Sequence, residues 1–199
     1  RYIIGPCGDT LTLKGVNYAP YNWGWSPDEL RIAEIASTGA NCIRLPWYVT
    51  TPDGATPQTT YDDLTNLDNA VSQCIEHDMI PILDLHDLTC MNDPAALMDL
   101  TDWWTQPSVM ALVDAYHGDV IINVANEVLS VGYTDDPVAA QAAFVSTYTT
   151  IIANLRNAGI TVPLLIDGPD CGTNLDVLAD VGATLEAADP LGNLIFSAH

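Results

Sequence analysis

With 199 residues, 48% of them hydrophobic, and a mean hydropathy of +0.15, the chain can bury one substantial core, which excludes a disordered polymer. Twenty-six acidic residues against five basic ones give a formal charge of −21, which repels nucleic acid and anionic membrane and suits a neutral partner. No apolar run approaches the roughly 20 residues of a membrane span, and no basic, apolar leader precedes the first predicted strand.

Tyr2–Leu13, with Gly8-Asp9 as its turn, reads as a small hairpin. Six strand-like runs follow: Leu13–Tyr18, Asn41–Trp47, Ile80–Leu85, Val120–Ala125, Pro163–Asp167 and Asn193–Ala198. Helical patterns separate them. The first opens on a capping box, Ser26-Pro27-Asp28-Glu29, with proline at the first helical position, and ends near Gly39. The second covers Leu64–His77, with Leu67, Val71, Cys74 and Ile75 on one face. Pro94–Tyr116 reads as two helices broken before Pro107. The fourth starts after Pro137, carries an Ala-rich stripe to Arg156 and closes at Gly159; the fifth spans Asn174 to about Ala188.

Strict βα alternation means a parallel sheet covered by helices. A dinucleotide or nucleotide fold needs a glycine-rich phosphate loop after an early strand, and neither G-x-G-x-x-G nor a Walker sequence is present. The remaining architecture is a (β/α)8 barrel, whose chemistry sits at the carboxyl ends of the strands. Those ends carry Asn17-Tyr18, Arg44 to Trp47, His86-Asp87, Asn126-Glu127, Asp167 and His199. Each has an ordinary structural explanation alone; together, on strands that converge on one mouth, they form a candidate site. The five cysteines, Cys7, Cys42, Cys74, Cys90 and Cys171, show no zinc spacing, and either buried thiols or disulfides fit them. No metal or cofactor is implied.

The stretches Leu13-Lys14-Gly15-Val16-Asn17, Thr38 to Arg44, Leu83-Asp84-Leu85-His86-Asp87, Val120 to Glu127 and Phe196-Ser197-Ala198-His199 run in one order along nearly the whole chain. In that order they resemble the (β/α)8 retaining glycoside hydrolases of family five, the cellulase and β-mannanase family. The Gly39-Ala40-Asn41 to Arg44 stretch, the two polar pairs and Leu165-Ile166-Asp167-Gly168 look most like bacterial β-1,4-mannanases. The resemblance implies a TIM barrel of which residues 1–199 are a single, partial catalytic domain holding six of eight βα units. It also implies a secreted, extracellular enzyme acting on a neutral polysaccharide, mannan before cellulose.

The resemblance assigns Glu127 as general acid/base and Asn126 as the donor to the sugar 2-hydroxyl. Arg44 would hold the nucleophile ionised, and His86 and His199 would line the neighbouring sugar subsite. Trp25 and Trp47, with Trp23, would offer flat faces to sugar rings. Asp87 and Asp167 are expected to be structural. In this family the nucleophile lies on the seventh strand, so the expectation is that residues 1–199 carry half of a catalytic pair. The missing strands would then come from the remainder of the chain or from another chain, and a non-catalytic carbohydrate-binding or assembly role on an open barrel is the alternative. Mannanases of this kind have an aromatic residue at the Cys171 position and often glycine at Cys90. Both positions follow strand ends on the mouth, so a Cys90–Cys171 disulfide is expected.

Overall fold

The computed structural model describes residues 3–4, 8–21, 29–55 and 57–199. A two-stranded antiparallel hairpin, β1 (Ile3–Ile4) with β2 (Thr10–Leu11), leads into six parallel strands. These are β3 (Gly15–Asn17), β4 (Cys42–Trp47), β5 (Ile80–Leu85), β6 (Ile121–Asn123), β7 (Leu164–Asp167) and β8 (Leu194–Ser197). Between them run α1 (Ile32–Ser37), α2 (Leu64–Glu76), α3 (Pro94–Thr101), α4 (Pro107–Ala115), α5 (Pro137–Ala158) and α6 (Leu175–Ala188).

The strands lie in simple sequence order, β3-β4-β5-β6-β7-β8. A doubly wound sheet would reverse direction at a switch point. A monotonic order, in which each unit adds its strand on the same side, is how a (β/α)8 barrel is wound. Six units give a curled part of that barrel, as expected.

Local signals set most boundaries. Asp93 caps α3 by accepting from the Ala95 and Ala96 N–H groups, with Pro94 at the first helical position. Asp136 does the same for α5, ahead of Pro137, and Gly159 ends that helix in the left-handed region at φ 101°. The break before Pro107 is real, and Asp102–Thr105 fill it as a 3-10 turn. One expectation needs correction. Helix α1 begins only at Ile32, with Glu29–Arg31 irregular, so the capping box does not start it; Ser26, Pro27 and Asp28 lie outside the described residues. Helix α5 has 22 residues and contains an 18-residue window of mean hydropathy 1.2, enough to cross a membrane by length and composition alone. It instead packs Phe144, Tyr148, Ile151, Ile152 and Leu155 into the core as an outer helix of the barrel wall.

The period-two alternation of strands separates two faces. On the convex face, Ile43, Leu45, Leu83, Leu85, Ile122, Leu164 and Ile166 join the helices in one continuous core. On the concave face, Ile82, Ile121 and Leu165 form a separate small apolar layer flanked by Leu13, Ile80 and Ile195. One residue further along each strand's inward positions stand Asp84, Asn123 and Asp167. The barrel interior is thus apolar below and charged above.

Candidate active site

The charged layer is organised by Arg44, the inward residue of β4. Its Nε donates to Asn123 Oδ1 at 2.8 Å and its Nη2 to Asn126 Oδ1 at 2.6 Å. The same Nη2 stands 3.0 Å from Asp84 Oδ1 and 3.4 Å from Asp167 Oδ2. Both aspartates are fully buried, so the guanidinium is what compensates them. Burial pushes the Asp84 carboxyl above its ordinary value, with His86 and Arg44 pulling the other way. Asp84 Oδ2 also meets His86 Nδ1 at 2.6 Å, which orients that ring toward the cleft.

Beyond the end of β6 the chain turns sharply. Asn126 N–H donates to the Leu85 carbonyl, and its side-chain amide donates to Thr89 Oγ1 at 2.9 Å. With Arg44 on its oxygen, the Asn126 side chain is fixed at both ends. Glu127 then adopts φ 53°, left-handed backbone that an ordinary side chain rarely takes. Cys90, Leu129, Asp170 and Cys171 share that conformation, so strained backbone gathers around this one residue.

Several contacts hold the strain. Glu127 N–H donates to Asp167 Oδ2 at 3.3 Å, and its carbonyl accepts from Cys90 N–H. Leu129 exchanges backbone bonds with Met91 and Asp170. The Asp170 carboxylate accepts from Val131 and Gly132 N–H groups and from the Asn174 amide. Burial raises its pKa, but these donors outweigh that and keep it below the usual carboxylate range. The Cys90–Cys171 disulfide, formed as expected with Cα atoms 4.7 Å apart, ties the loop after β5 to the loop after β7. Gly172 lies between Glu127 and His199: a Cβ there would meet Glu127 Cγ at 3.0 Å and His199 Cβ at 3.2 Å.

Glu127 Oε1 lies 2.5 Å from His199 Nδ1, and His199 Nε2 lies 3.5 Å from Asp167 Oδ1. Asp167 first, and Glu127 after it, raise the His199 pKa to about 8 against the opposing effects of burial and Arg44. The structure therefore brings Arg44, His86, Asn126, Glu127 and His199 together at one cleft, joined by Tyr18, Tyr48 and Thr89. Glu127 is the only carboxylate lining that cleft among the described residues.

Trp47 is a correction. It is 2% exposed, packed edge-on against Tyr21 and Tyr61, and cannot offer its face to a sugar. Its neighbour Tyr48 lines the cleft instead. Trp25 and Trp23 lie outside the described residues. Asp87 is structural as expected, accepting from Val49 and Thr50 N–H groups. Asp167, expected to be structural, reaches Arg44, Glu127 and His199. Asp84 carried no assigned role in the sequence, although its place two residues after Ile82 on β5 puts it on the inward face.

A parallel wall in sequence order, with its polar groups gathered at the carboxyl ends of the strands, is the scaffold of a (β/α)8-barrel enzyme. The chain belongs to glycosyl hydrolase family 5, the cellulase family, whose pattern matches residues 6–199. It is 30% identical to a mannan endo-1,4-beta-mannosidase of Streptomyces lividans, an alignment that covers 96% of this chain and 47% of that protein. A second mannan endo-1,4-beta-mannosidase, from Salipaludibacillus agaradhaerens, is 29% identical, with 96% and 57% covered. The crystal structure of beta-mannanase from Streptomyces thermolilacinus superposes with a TM-score of 0.79 at 27% identity, covering all of this chain and 62% of that one. The chain thus spans about half the length of the curated relatives it matches.

Proposed function

We propose that the intact protein is a retaining endo-β-1,4-glycan hydrolase that acts on mannan, with Glu127 as its general acid/base. The observation that carries this reading is the placement of Glu127. It stands at the carboxyl end of β6, in the cleft, beside an Asn126 whose side chain is fixed at both ends. Asn126 is positioned to bind a sugar hydroxyl next to the bond being cleaved, and Glu127 to protonate the leaving oxygen and later to activate water. Family membership and mannosidase relatives support the substrate class.

A retaining mechanism needs a second carboxylate about 5–5.5 Å from the first. Asp84 and Asp167 are fully buried and committed to Arg44, so neither can attack an anomeric carbon. Among the described residues Glu127 is the one carboxylate in the cleft, so the second is proposed to come from outside them, and residues 1–199 alone are expected not to hydrolyse polysaccharide. The disulfide at the mouth and the acidic composition support an extracellular setting, where disulfides persist. Composition also favours a neutral polysaccharide over nucleic acid or anionic membrane.

The test is reducing-sugar release from mannan and from carboxymethylcellulose by the intact protein. Release from mannan is expected. Glu127→Gln should lower kcat by at least about 10²–10⁴-fold, the range ascribed to general acid–base catalysis, with mannan still bound. Binding of mannan without hydrolysis by the unmutated protein would overturn the enzyme reading and favour a carbohydrate-binding role.

A further inference from the structure

Asp167 has more to do than balance Arg44. It is fully buried, and its two oxygens divide their contacts. Oδ2 takes the Glu127 N–H at 3.3 Å and faces Arg44 Nη2 at 3.4 Å. Oδ1 faces His199 Nε2 at 3.5 Å and has no aligned hydrogen bond. An imidazole placed between two carboxylates, with Glu127 Oε1 at 2.5 Å from its other nitrogen, is held by charge on both sides. The second buried aspartate provides a contrast. Asp84 meets the same Arg44 nitrogen at 3.0 Å but pairs with His86 rather than with His199.

We infer that Asp167 is a positioning residue for the acid/base: it orients His199 so that a proton on Nδ1 is stored against Glu127. This rests on the role proposed for Glu127. In the step it serves, the Nδ1–H bond of the imidazolium breaks and an O–H bond forms on Glu127, leaving neutral imidazole. That O–H bond then breaks as the glycosidic oxygen takes the proton, and the electron pair of the C–O bond leaves with the departing sugar. The positive centre left behind is taken by the nucleophilic carboxylate. Asp167 moves no proton. Around His199, Arg44 on β4 opposes its charge, Asp84 on β5 pairs with Arg44 and His86, and Tyr148 on α5 stands near Asp167 with its hydroxyl held neutral by burial.

Titration of His199 by NMR in the intact protein, without substrate, tests this directly. The midpoint is expected near 8. A midpoint at or below the ordinary histidine value of about 6.5 overturns the inference. Asp167→Asn should lower the midpoint by about one unit or more and carry the alkaline limb of kcat/KM with it, reducing kcat more than it raises KM. Asp84→Asn removes the other aspartate on Arg44 and should leave the His199 midpoint where it was. An unmoved midpoint in Asp167→Asn, or an equal shift in Asp84→Asn, overturns the inference and makes Asp167 a counter-ion for Arg44 alone. Because the titration needs no turnover, failure of the enzyme reading is seen separately, in the activity of the unmutated protein.

Discussion

The two faces of the parallel sheet are built from the same six strands and solve opposite problems. The convex face buries a continuous apolar surface against six helices. The concave face keeps only a thin layer of Ile82, Ile121 and Leu165, and above it gathers a guanidinium, two buried carboxylates and two amides. Apolar burial is non-directional and tolerates small changes of shape. A buried charge layer is not tolerant, because each member depends on its partners. The fold is therefore secured on one side and the chemistry on the other.

Removing the hub of the charged layer is the harshest way to test this contrast. Arg44→Met leaves Asp84 and Asp167 buried without their cation and should cost about 3–5 kcal/mol in denaturant unfolding. The loss should shrink as pH is lowered, since a carboxyl whose folded pKa is raised, as that of Asp84 already is, stabilises the fold in its protonated form. A loss that does not change with pH would place Arg44 on the same footing as an apolar residue and break the contrast.

Truncation of apolar side chains sharpens it further. Leu83→Ala on the convex face and Leu165→Ala on the concave face remove the same atoms, and both belong in the range of about 2–5 kcal/mol. Leu83 is fully buried in the main core and should fall at the upper end. Leu165, in the thin layer and 6% exposed, should fall at the lower end, about 2 kcal/mol. Equal losses would show that the thin layer carries as much of the stability as the helix-covered face.

The smallest effect is a pH dependence from His199. Its folded pKa is raised, from about 6.5 to about 8, so its contribution to stability is complete below the unfolded value. That contribution should fade as pH rises through about 8. Denaturation midpoints between pH 6 and pH 9 check it, and Asp167→Asn should flatten the trend.

Much of this was readable in the residues, and the misses have physical causes. β5 is found at its expected bounds because its apolar run is flanked by turn residues on both sides. β6 pairs only over Ile121–Asn123, although Val124 and Asn126 still donate to neighbouring strands, because the chain bends into the left-handed turn at Glu127. The strand-end polar residues were legible because a parallel barrel sends them to one mouth. Asp84 was not, since it sits inside an apolar run and shows its role only when inward and outward positions are sorted. Trp47 was misplaced for a different reason. Its burial is decided by Tyr21 and Tyr61, contacts that no local pattern reports.

The two arginines with the deepest burial have a consequence at the surface. Arg44 serves the charged layer, and Arg156, 4% exposed, is spent on Asp189 and on the Ile160 and Val162 carbonyls. Among the described residues this leaves Lys14 and Arg31 as the lysine and arginine charges facing solvent, against a great excess of carboxylates. The exterior is close to a pure polyanion. It repels its own copies and holds a cloud of counter-ions, so dissolved salt acts on this protein chiefly by screening that repulsion, while its internal pairs lie beyond the reach of salt.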